Sequence, residues 1–129
     1  MYTFTIDDDA RAIRIVSAGS WTLADAEQYL VEFERHFADA RRRFGDVRVL
    51  VDARKAAPHA PFMAKRLAVL GRLFDGPGDR LAVVINSSLK KQQVGREGLP
   101  TLGMAFLSID AAETWLFAYD HAAGIAQLA

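Results

Sequence analysis

Cysteine is absent from the 129-residue chain. That removes disulfides, thiol nucleophiles and thiolate metal sites together, and it fits a reducing compartment. Net charge is missing as well, since 16 basic side chains meet 16 acidic ones. A protein held to nucleic acid by its overall field would carry a basic excess, so nucleic acid is not an expected partner. No stretch approaches the roughly 18 consecutive apolar residues of a membrane span. The opening "MYTFTIDDDARAIRI" has no basic segment followed by an apolar run, so the sequence reads as a cytoplasmic protein without a leader. The three histidines, His36, His59 and His121, lie far apart with no pair at metal-ligand spacing, and neither a metal nor a cofactor is expected. There is no "GxSxG" elbow and no phosphate loop. Gly71, Gly76 and Gly78 precede a strand, where a dinucleotide loop would have to follow one.

What the chain does have is apolar residues, 51% of the total, enough for one domain over residues 1–129 with a core of its own. In "YTFTI", Tyr2, Phe4 and Ile6 alternate with Thr3 and Thr5, the period of a half-buried strand. After the turn "DDDA", Ile13 and Ile15 flank Arg14, so an antiparallel hairpin ending near Gly19 is predicted. Thr22 and Asp25 form a capping-box pattern at the start of a first helix. Its core stripe is Ala26, Tyr29, Leu30, Phe33, Phe37, Ala40 and Phe44. Arg41, Arg42 and Arg43 fall in the last turn before Gly45, where cations complement the helix dipole.

"VRVLVD" reads as a central strand ending at Asp52. "PHAP" breaks the chain, and Pro61 opens a second helix with Met63, Leu67, Leu70 and Phe74 as its stripe. "RLAVVIN" is another strand, a short helix is expected in "SLKKQQVGREG", and "LGMAFLS" is the last strand. Asp110 and Glu113 then open a helix that buries Ala112, Trp115, Leu116 and Tyr119. The order ββαβαβαβα calls for an α/β fold with a mixed, mostly parallel five-stranded sheet and flanking helices, because parallel strands need long right-handed crossovers.

Parallel strands share one carboxyl edge, where ligands and partners usually meet such sheets. Asp52, Arg54, Lys55 and His59 after the third strand, and Ser87, Ser88, Lys90 and Lys91 after the fourth, are expected there. Cations and helix amino ends converging on that edge suit an acidic protein surface, or the anionic head of a small amphipathic ligand. Phe62, Met63, Phe106, Trp115 and Phe117 are candidates to line an apolar cleft. Asp52 more readily accepts loop amide bonds than pairs with His59 in acid-base work, so no catalytic residue is assigned.

The hairpin, the "GSWTLADAEQYL" entry to helix one, the strand "VRVLVDAR", the strand "DRLAVVIN" and the closing "AFLSIDAAETWL" together resemble the SpoIIAA-like branch of the STAS and CRAL-TRIO-like (SEC14) proteins. The resemblance covers nearly the whole chain. It implies a non-enzymatic domain, regulatory or protein-binding as in the STAS relatives, or a carrier or sensor of a lipid-like ligand as in the CRAL-TRIO relatives. In the phosphorylated regulators a serine follows the strand-three aspartate. Here Asp52 is followed by Ala53, Arg54 and Lys55, with no Ser or Thr before Pro61, so fixed positive charge is expected in place of a switchable one. Self-association as a homodimer is a further expectation.

Overall fold

A computed structural model of the chain describes residues 1–87 and 102–128, with side chains as far as residue 118 in the final helix. The elements are β1 (Tyr2–Asp7), β2 (Ala12–Gly19), α1 (Leu23–Phe44), β3 (Arg48–Ala56), α2 (Pro61–Ala68), a 3₁₀ turn (Val69–Leu73), β4 (Arg80–Val84), β5 (Gly103–Phe106) and α3 (Ile109–Leu128). The sheet runs in the order β1-β2-β3-β4-β5. β1 is antiparallel to β2 and the remaining pairs are parallel. The short helix expected in "SLKKQQVGREG" lies outside the described residues.

Local chemistry sets these boundaries. Thr22 Oγ1 accepts from the Asp25 amide at 3.1 Å and Asp25 Oδ2 accepts from the Thr22 amide at 2.8 Å, so the capping box closes in both directions. Gly45 ends α1 at φ 80°, a left-handed conformation that costs a residue with a Cβ more than it costs glycine. Pro61 begins α2, whose last turns tighten into the 3₁₀ geometry common at helix ends. At α3 the cap differs from the expected one. Ser108 Oγ accepts from the Ala111 amide at 3.1 Å, while Glu113 is drawn off the helix end to Arg14 at 2.9 Å.

Strand alternation divides the core between two faces. On one, Ile13, Ile15, Val47 and Val49 pack against Tyr29, Leu30, Phe33 and Phe37 of α1, with Leu70 and Phe74 closing the side. On the other, Leu50, Ala82 and Val84 meet Ala112 and Leu116 of α3, all almost wholly buried. Because α3 lies over β3, β4 and β5, Thr3, Thr5 and Val16 on the same face of β1 and β2 remain exposed.

The amino edge of the parallel strands is fastened by one buried carboxylate. Asp79, with no exposed side-chain surface, accepts from Arg41 Nη1 and Nη2 at 2.7 and 2.6 Å. It also accepts from the amides of Val47 and Gly76, each at 2.8 Å. Burial works to raise its pKa, but the guanidinium and the two amides outweigh it and hold the carboxyl below its ordinary value. Arg41 thus does more than complement the dipole of α1: it ties that helix to the starts of β3 and β4. Arg42 and Arg43 reach Asp39, and Arg43 also reaches Asp8.

Candidate functional site

β3 does not stop at Asp52. It continues extended to Ala56, because one extra residue in β3 between the pairs Val16↔Asp52 and Ala18↔Lys55 is absorbed as a register shift and the pairing goes on to Gly19↔Ala56. The Ala57 amide still bonds Gly19 O at 3.0 Å. Arg54 and Lys55 are therefore strand residues, a correction to their expected place in a loop.

The correction changes their chemistry. Arg54 folds back onto Asp52 across that irregularity through Nε and Nη2, each at 2.9 Å from a carboxylate oxygen. The Arg54 amide adds a third bond at 3.2 Å. This two-pronged pairing holds the Asp52 carboxyl below its usual range and raises Arg54. As a pair they carry no net charge, so Arg54 is not the open cation the sequence suggested. Lys55 pairs with Ala18 beyond the irregularity and is exposed.

The ends of β3 and β4 meet at the carboxyl edge. Asn86 Nδ2 donates to Arg54 O at 2.9 Å, placing the end of β4 and Ser87 beside the end of β3. Ser88, Lys90 and Lys91 lie outside the described residues. His59 sits with its ring 5.0 Å from that of Trp21, and Trp21 in turn packs on Tyr29 at 4.8 Å. Asp52 is engaged by Arg54, and the His59 ring lies against Trp21. Among the described residues no cluster of three or more His, Asp or Glu side chains could hold a metal ion, and no helix is long and apolar enough to cross a membrane.

Leu23, which the sequence reading left without a role, and Phe62, which it offered as a lining of an apolar cleft, stand instead on one exposed shoulder. α1 and α2 both begin at the carboxyl edge and are joined by Arg66 Nε and Nη2 on Glu27 at 2.9 and 3.0 Å. One turn toward the edge from that pair lie Leu23 and Phe62, 52% and 62% exposed. Val31, one turn the other way on α1, is also exposed. Residues four apart share a helix face, so Leu23, Glu27 and Val31 form an outer line, as do Phe62 and Arg66. The sequence signal was present: Leu23 and Val31 fall off the α1 core stripe.

Met63, by contrast, is core, and Phe106 and Trp115 pack together at 5.6 Å on the α3 side. An open cleft of roughly 360 Å³ lies at the other end of the sheet, lined by Arg11, Phe44, Asp46 and Arg48.

No family model and no curated protein matches the chain. Among solved structures it is similar to an uncharacterized protein of the DUF3478 family from Shewanella loihica PV-4, described as having a SpoIIAA-like fold. The two share 20% identity over 90% of this chain and 92% of that one, with a TM-score of 0.61. At that identity the likeness speaks for architecture and leaves activity open. The hairpin, the parallel strands β2 to β5 and the helices on both faces are accordingly those of the SpoIIAA-like fold.

Proposed function

We propose that the chain is a protein-interaction module, regulatory in character, that docks its partner on the shoulder formed by the starts of α1 and α2. The observation that carries this reading is the pairing of two large apolar side chains, Leu23 and Phe62, on adjacent helix ends of a charge-balanced surface. Isolated exposed apolar residues need no explanation, but two flanking one ion pair make an anchor with a polar rim. Exposed Lys65, three residues on from Phe62 in α2, borders it, while Arg54 and Arg66 already hold carboxylates. The complementary partner presents an apolar side chain among acidic ones.

The test is photo-crosslinking in the native cell from a benzophenone at position 62, repeated in a Leu23→Asp/Lys65→Glu background. One discrete acidic partner, lost in the altered background, is the expected result. The same partner in both backgrounds would refute the surface. Native mass spectrometry supplies a counter-test: a small-molecule adduct retained through purification would favour a carrier of an amphipathic ligand over a docking module.

A further inference from the structure

The free edge of β1 is a second surface, independent of the shoulder. Antiparallel strands alternate bonded and non-bonded residue pairs, and here the phase is fixed by Met1 and Ala18. They exchange bonds of 2.9 and 2.8 Å. With the register Tyr2↔Ser17 through Asp7↔Ala12, the odd-numbered residues of β1 bond inward to β2. Tyr2, Phe4 and Ile6 therefore turn their N–H and C=O groups outward. Among the described residues no strand lies beyond them. Edge strands of monomers are usually guarded by lysine, proline or a bulge. Tyr2 to Ile6 has none of these, and its pairing with β2 runs without a shift. The one charge on β1, Asp7, is drawn aside by Arg14 at 3.0 Å.

The sequence of the strand chooses the occupant. "YTFTI" reads as apolar, Thr, Phe, Thr, apolar in either direction, and a strand that matches its own reverse is suited to antiparallel pairing with itself. We infer that a second copy of this chain adds across β1 about a two-fold axis at Phe4, joining the two sheets into one. In that register Phe4 faces Phe4 of the other copy, Tyr2 faces Ile6, and Thr3 faces Thr5. Every outward backbone group of Tyr2, Phe4 and Ile6 then finds a partner. On the helix face, half-buried apolar side chains extend the aromatic cluster in which Phe4 stacks on His36 at 4.6 Å. On the other face the seam is Thr against Thr, a favourable cross-strand pair. The arrangement is isologous, as two-fold dimers require.

Sedimentation equilibrium of three proteins tests both the dimer and its register. Thr3 and Thr5 are exposed, so substitutions there leave the core untouched, and circular dichroism verifies the fold. In Thr3→Lys/Thr5→Lys, like charges oppose each other across the seam twice. In Thr3→Lys/Thr5→Glu, each lysine opposes a glutamate. The expected result is a dimer for the unaltered chain, association weakened about tenfold or more in the double lysine variant, and a dimer retained in the lysine-glutamate variant. A monomer for the unaltered chain at high micromolar concentration would overturn the inference. So would two variants that dimerise equally, since the contact would then lie elsewhere.

Discussion

Replacing Asp79 by alanine will be among the most damaging single changes the molecule can suffer. The carboxylate has no exposed surface and satisfies four donors: two on Arg41 and the amides of Val47 and Gly76. Orphaning two buried amides costs about 1–3 kcal/mol each. Arg41 is a third exposed and keeps contacts with Asp75 and Gly45 O, so its charge stays partly hydrated and adds less than a fully buried guanidinium would. A net loss of about 3–5 kcal/mol follows, the range for breaking a buried pair by removing one member. Urea unfolding followed by circular dichroism at pH 7 measures it.

The pH dependence gives an independent check. The folded carboxyl titrates below its unfolded value of about 3.9. Its contribution is therefore complete above about pH 4 to 5 and is lost as pH falls through the folded value. The gap between wild type and Asp79→Ala should accordingly be widest at neutrality and narrow in strong acid. A loss under about 1 kcal/mol at pH 7, or a gap that does not narrow, would refute the reasoning.

Two smaller effects should accompany it. Thr22→Ala opens the capping box of α1 and should cost about 1 kcal/mol, read as a lowered thermal midpoint. Tyr2, whose phenol is desolvated against Trp21 and Tyr29 and feels the Glu32 carboxylate, should ionise at about 12 in an alkaline absorbance titration. Since that value is raised, the contribution of Tyr2 is whole below about pH 10 and fades as pH climbs through the folded value. Glu32→Gln should bring the phenol part of the way back.

Much of the architecture was legible because it is written locally. The Thr22 and Asp25 pair marked the first helix to the residue, and the spacing from Ala26 to Ala40 picked out side chains that are all buried. What stayed hidden depended on residues distant in sequence. Asp52 looked like a strand terminus, but β3 persists because the shifted register with β2 still offers it partners as far as Gly19. Arg41 could be placed at a helix end, yet its true counterpart is 38 residues away. Glu113 was assigned to a cap and instead crosses 99 residues to Arg14. The shoulder was missed for another reason: a stripe analysis finds what is buried, Leu23 and Val31 lie outside it, and Phe62 was assigned to a cleft between helix and sheet when it faces outward.

The fastening at Asp79 also divides the molecule mechanically. At that end the close of α1 and the starts of β3 and β4 are knotted through one dry carboxylate. At the opposite end Asp52 with Arg54 and Glu27 with Arg66 are solvent-exposed pairs, which hold far less than a buried one. Opening of the chain should therefore begin where α2 starts and reach Val47 last, a gradient that amide hydrogen exchange would trace along the two helices. A partner seated at the loose end can reshape α2 while the far end stays shut.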